Sequence, residues 1–133
     1  MTDEVKDSLP PELHAPIDEI RAAMPLLWEA ADRAAHQVRG VECLLREAKV
    51  TVEARTWSGR KGGGYVPDLA WKRRATPSPN QAPAEKWSLE IVDGCDSSRP
   101  WLEASIGERL MAFDKLPELL SKLAEETKRL VPK

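Results

Sequence analysis

Apolar and small residues recur at alternating steps of three and four from Ile17 to Leu45: Ile17, Ile20, Met24, Leu27, Ala31, Ala34, Val38, Val41 and Leu45. This is the a/d spacing of a heptad, which draws one continuous stripe along an α-helix. The spacing predicts a helix from Pro16 to about Ala48. Pro16 suits the first helical turn, where a missing N–H has no partner to lose. Pro25 falls inside the helix and removes a backbone hydrogen bond; because the heptad keeps its phase across it, a bend is expected rather than a break. About 32 residues at a rise of 1.5 Å would span about 48 Å, long for a chain of this mass. Residues 1–15, with Pro10 and Pro11 and little periodicity, read as a flexible lead-in.

Near Lys49 the period shortens to two. Val50, Val52, Ala54 and Thr56 alternate with Thr51, Glu53, Arg55 and Trp57, the pattern of a half-buried strand. The glycine-rich run 58–64 is expected to turn the chain back into a second strand over Tyr65–Arg73, with Leu69 and Trp71 on one face. Pro67 makes its first part an edge or irregular. Residues 76–85 hold three prolines and read as a mobile loop. Trp87, Leu89 and Ile91 then alternate with Ser88, Glu90 and Val92 in a third strand, closed by Asp93-Gly94. After a turn at Asp96–Pro100, Trp101 and Leu102 add a short extended piece. Ser105 with Glu108 three residues on is a capping-box spacing that opens a helix. A second stripe follows at Phe113, Leu116, Leu120, Leu123, Thr127 and Leu130, and Pro117 marks a fresh helical start with Asp114 as its N-cap.

The predicted fold class is α+β: a long N-terminal helix, a short antiparallel meander of two or three strands, and a C-terminal helix, forming one domain over residues 16–133. A small sheet has one face to cover, and the two striped helices are the elements available to cover it. The first stripe outruns the second by more than ten residues. Its surplus must pack on the sheet, on a second copy or on another protein. The expectation is a homodimer with a seam at Leu27, Trp28, Ala31 and Ala34.

Charge refines this picture. Of 133 residues, 32% are charged, and the net charge is only −2. Between Lys49 and Arg74, however, seven basic residues stand against Glu53 and Asp68. Tryptophan supplies most of the aromatic surface, five residues against one Tyr and one Phe. Trp71, Trp87 and Trp101 are expected to fill the core. Trp57, by alternation, faces away from Val50 and Val52 and is the candidate exposed anchor, since Trp and Arg dominate interface energetics. Trp57, Arg60, Lys61, Arg73 and Arg74 are therefore the candidate partner-binding residues. Their mixture of aromatic and basic groups also fits a surface that grips phosphates and stacks bases, so nucleic-acid binding through hairpin 55–74 is the alternative reading.

Signals for catalysis are absent. The two histidines, His14 and His36, have no ligand-spaced companions, so no metal site is expected. The Gly59–Gly64 run lacks the order of a phosphate loop. Glu90, Asp93 and Asp96 cluster at a strand end, where exposed, turn-forming carboxylates are the ordinary reading. The chain is read as non-enzymatic, with no cofactor. No apolar run approaches the ~18 residues of a spanning helix, and the Met1-Thr2-Asp3-Glu4 start is acidic, so no membrane partner is expected. Cys43 and Cys95 lie in unlike contexts and read as free thiols in a reducing cytoplasm.

The stretch Pro100-Trp101-Leu102-Glu103-Ala104-Ser105, with Glu108-Arg109, Ala112 and Leu116-Pro117-Glu118-Leu119-Leu120, follows the strand Lys86-Trp87-Ser88-Leu89-Glu90-Ile91. Together they resemble a group of small uncharacterised helix–β–helix proteins from proteobacterial phages and mobile elements. The resemblance covers the C-terminal third. It implies a bacterial or phage cytoplasm, where small non-enzymatic proteins inhibit or regulate larger machines, and it transfers no site residues. The insertions around Gly62 and Pro79 depart from that group's compact meander.

Overall fold

The structure, a computed structural model, describes residues 5, 7–58, 66–73, 80, 86–93 and 97–132. Its contacts divide the chain into two compact units, Met1–Arg33 and Ala34–Lys133. The α+β class is as the hydrophobic pattern predicts.

A 3-10 turn at Pro11–Leu13 leads into helix α1, His14–Glu47. The helix starts two residues before the proline expected to open it and runs unbroken through Pro25. Part of the lead-in is ordered as well: Ser8 bonds the carbonyl of Val5, and the His14 ring lies 3.2 Å from the Leu9 carbonyl. The helix closes at Lys49, which takes a left-handed φ of 56°. Val50 N–H returns to the Leu45 carbonyl and Lys49 N–H to the Arg46 carbonyl, both at 3.0 Å. This is a Schellman closure with lysine where glycine is usual.

Four strands follow: β1 Ala54–Arg55, β2 Asp68–Arg73, β3 Trp87–Val92 and β4 Ser98–Pro100. They form one antiparallel sheet in sequence order, a meander with one strand more than expected. The extra strand occupies Ser98–Pro100, expected to be a turn. Trp101 and Leu102, expected to be extended, belong to a 3-10 turn at Trp101–Glu103. Ser105 then caps α2, Ile106–Phe113, its hydroxyl accepting from Glu108 N–H and donating to the Glu108 carboxylate. Helix α3, Leu116–Arg129, begins afresh as Pro117 requires, but Asp114 closes α2 instead of capping α3.

Register pairs Leu69 with Ile91 and Trp71 with Leu89, so these four share a face. On that face they join Ala34, Ala35 and Val38 of α1, Trp101, Ala112, and Leu116, Leu119 and Leu123 of α3 in one core. Trp71 and Trp101 are buried as expected, each with its indole N–H spent on a carbonyl 3.0 Å away, Val50 and Arg109 respectively. Trp87 is half-buried and stacks on Trp71, with centroids 6.2 Å apart. The opposite face carries Asp68, Ala70, Lys72, Ser88, Glu90 and Val92, and it too is largely buried.

β4 pairs only with Glu90–Val92, leaving the same edge of β3 bare at Trp87–Leu89. Two side chains of α1 fill the gap. Glu42 Oε2 accepts the Leu89 N–H at 2.9 Å, and Arg46 Nε donates to the Trp87 carbonyl at 3.0 Å. The two side chains, one turn apart, lie 3.5 Å from each other. The helix thus supplies the donor and acceptor that a neighbouring strand would have supplied, blunting an edge that would otherwise template aggregation.

Candidate partner-binding surfaces

The first surface grows from how β1 ends. Thr56 N–H bonds the Leu69 carbonyl at 2.9 Å, a normal ladder bond. The return bond from Leu69 N–H goes to the Thr56 hydroxyl, at 3.1 Å, instead of to its carbonyl. That hydroxyl donates in turn to Asp68 Oδ1 at 2.8 Å. Asp68 is buried and also accepts the Ser58 hydroxyl at 2.9 Å and the Ser58 N–H at 3.3 Å. Two cations complete its surroundings: Lys115 Nζ at 3.8 Å, itself bonded to the Ser58 hydroxyl, and an Arg55 nitrogen at 3.9 Å. A carboxylate taken out of water needs such partners, because the cost of burying it alone is several kcal/mol. The result is a polar knot tying β1, β2 and the α2–α3 junction.

Trp57 lies between two residues of that knot. It is 67% exposed, and the Arg55 guanidinium stands over its ring at 3.5 Å from the centroid. Because Thr56 and Ser58 are both pinned to Asp68, the indole is presented by fixed backbone, which lowers the ordering cost of binding. Arg73 is exposed but lies at the far end of β2 from Asp68, about 17 Å along an extended strand. It therefore does not join Trp57 in one patch. Arg60, Lys61 and Arg74 fall outside the described residues. What the structure gathers around Trp57 is Arg55, Ser58, Asp68 and Lys115. Local sequence carries no mark of this group, since Lys115 lies 57 residues beyond Ser58.

The second surface belongs to the unit Met1–Arg33. Leu13, Ile20, Leu26 and Trp28 are exposed, Ile20 at 59% and Trp28 at 58%, while Ile17, Met24 and Leu27 are half-buried. Of the expected seam, Leu27 and Trp28 remain accessible. Ala31 and Ala34 do not: both are buried within the single chain, Ala34 as part of the core. The accessible stretch of the stripe is therefore Ile17, Ile20, Met24 and Leu27, with Trp28 beside it.

No family model matches the chain, and no curated protein or solved structure matches it.

The acidic cluster resolves differently from expectation. Glu90 is buried, with the Ser88 hydroxyl donating to its Oε2 at 2.6 Å. Asp93 is the turn-former, accepting Ser97 N–H at 3.2 Å, and Asp96 lies outside the described residues. Among the described residues no group of three His, Cys, Asp or Glu side chains is placed to hold a metal ion, and no helix is long and apolar enough to cross a membrane. Cys43 is a free, exposed thiol whose hydrogen points to Glu47; Cys95 lies outside the described residues.

Proposed function

We propose that this protein is a non-catalytic protein-binding module that self-associates through the Ile17–Trp28 segment of α1 and offers Trp57 to a protein partner. What supports the reading is the apolar surface of the first unit, where the stripe position Ile20 and its neighbours Leu13 and Trp28 are exposed and Ile17, Met24 and Leu27 are only half-buried. Among the described residues, this unit consists of helix and short turns, with no second element of its own to shield them. A second copy suits the surface best. The stripe positions Ile17, Ile20, Met24 and Leu27 bear no charge, so in a two-fold contact no like charges meet. Ala23 and Ala30 beside the stripe let helices approach closely. The helical residues from His14 to Trp28 form about 22 Å of helix. Two such faces would bury on the order of 1,200 Å², the lower end of a stable interface.

Light scattering at micromolar concentration is expected to give twice the single-chain mass. Leu27→Glu is expected to return the single-chain mass while leaving the circular dichroism spectrum unchanged. A single-chain mass for the unaltered protein would overturn the reading. On the resemblance of the C-terminal third, the module is read as an accessory or inhibitory protein of a bacterial phage or mobile element, working in the cytoplasm.

Nucleic-acid binding draws on one observation, the Arg55–Trp57 stack, a geometry that single-strand binders use to hold a base. Affinity for mixed DNA and RNA that falls steeply with salt would favour it. Absence of binding at low salt would remove it.

A further inference from the structure

The accessible seam on α1 has two unlike ends. Past Leu27 the next stripe positions, Ala31, Ala34 and Val38, are buried within the single chain. Ala31 is only four residues on, about 6 Å along the axis. The side of the helix that a second helix would follow is therefore already taken there. Before Ile17 the stripe steps back to Leu13, which is exposed at 44% in the 3-10 turn that precedes the helix. That end is open.

Two copies can meet along Ile17–Leu27 in the same direction or in opposite directions. In the same direction each stripe residue faces its own counterpart, and the two covered ends coincide. The segments lying over Ala31 and Ala34 in both copies would then compete for one gap, because packed helices run only about 8–10 Å apart. In opposite directions the covered ends part, one at each limit of the seam. The spacing admits this arrangement without loss. Ile17, Ile20, Met24 and Leu27 lie three, four and three residues apart, a set that reads the same from either end. A two-fold axis between Ile20 and Met24 sets Ile17 opposite Leu27 and Ile20 opposite Met24, every a position meeting a d position. Ala31 then falls opposite residue 13, before the other helix begins. On one flank the exposed Ala23 faces its counterpart and lets the backbones close. On the other flank the exposed Arg21 faces its own, in water and salt that screen the pair.

We propose that two copies of this chain pair antiparallel through α1, with Ile17 of each packed on Leu27 of the other. This pairing rests on the self-association proposed above and fixes its direction. An isologous contact of this kind closes on itself, so association stops at two copies.

Disulfide trapping reads the direction, on a full chain carrying Cys43→Ser and Cys95→Ser. In the antiparallel pair Ala23→Cys sets two thiols across the axis within disulfide reach, whereas Ile17→Cys leaves them about 15 Å apart along the helices. In a same-direction pair the assignment reverses, because Ile17 meets itself and the two Ala23 positions lie on opposite flanks. Mild oxidation is expected to link Ala23→Cys faster than Ile17→Cys by roughly tenfold or more. A mixture of Ile17→Cys and Leu27→Cys chains is expected to link faster than either chain alone. Adding Leu27→Glu to Ala23→Cys is expected to return its linking to the slow rate, which separates pairing from random collision. An unchanged circular dichroism spectrum verifies that each variant is folded. Faster linking of Ile17→Cys, or no linking of Ala23→Cys in chains that light scattering shows to be paired, would overturn the antiparallel contact and leave self-association standing. A single-chain mass for the unaltered protein would overturn both.

Discussion

The first helix carries one heptad pattern under two different fates. In the unit Ala34–Lys133, Ala34 and Val38 are buried, and Val41 and Leu45 pack against the core. In the unit Met1–Arg33 the same a/d spacing leaves Ile20 exposed and Ile17, Met24 and Leu27 half-buried. The buried stripe positions are the small ones, Ala31, Ala34 and Val38, while the large Ile17, Ile20, Met24 and Leu27 stay open or half-buried, and Leu45 is itself only half-buried. A core that admits a helix close to a sheet wants alanine and valine. A helix face that must reach across to another helix wants isoleucine, methionine and leucine. The difference teaches that side-chain size within a stripe, not its periodicity alone, separates what folds inward from what remains for association.

The comparison breaks most sharply under charge. Val38→Asp puts an unpaired carboxylate at a fully buried position and is expected to cost about 4 kcal/mol or more, enough to unfold a marginal domain. Ile20→Asp, the same chemistry in the open stretch, is expected to leave the dilute protein folded. Its effect on the unfolding midpoint should instead grow with protein concentration, because only association is lost. Urea unfolding at two concentrations checks both, and an equal loss from the two substitutions would erase the distinction.

Next in size is the clasp that holds the covered stretch against β3. Glu42→Ala leaves the Leu89 N–H without its acceptor and removes the counter-charge of Arg46. The expected loss is roughly 2–3 kcal/mol. Faster amide exchange at Leu89 than at Trp71 would show the opening to be local to that edge.

A smaller, opposite effect is expected where the covered stretch ends. Lys49→Gly relieves the left-handed strain at φ 56° but gains backbone freedom in the unfolded chain, for a net stabilisation of about 0.5 kcal/mol. Calorimetry checks its sign.

The smallest effect belongs to exposed charge on the last turns of α3. The hydrogen bond from Arg129, and then its charge, hold Glu126 below its ordinary value of 4.5. A lowered folded-state value means that the pair stabilises above the unfolded value, and that this contribution fades as pH falls through the folded one. The gap in thermal midpoint between the unaltered protein and Glu126→Gln should therefore be small at neutral pH and close in acid. A gap that widened on acidification would contradict the pairing.

Much of the architecture was legible in the residues. Heptad spacing marked α1, alternation marked β2 and β3, and the Ser105–Glu108 spacing marked the start of α2. Alternation assigned Trp57 to the surface, and of the three tryptophans expected to fill the core Trp71 and Trp101 are buried and Trp87 half-buried. The expected strand over residues 50–57 overran β1, and β4 was missed. β1 shrinks to two residues because the Thr56 hydroxyl replaces a ladder carbonyl, and β4 has only three residues, too few to show a period. Glu42 could have been noticed as an acid one turn after Val38 on the buried side of the helix, with Arg46 one turn further on.

What the amino-acid order determined by itself is whatever depends on neighbours within a turn or two: period, caps, prolines and the placement of tryptophans. Contacts that join distant segments were decided only in three dimensions. The knot on Asp68 joins residues up to 57 positions apart, and the clasp of Glu42 on β3 spans 47. Local periodicity reports which side of an element is apolar. It carries no information about which buried charge will meet which backbone edge, because that is settled by how packed elements are aligned, one against another.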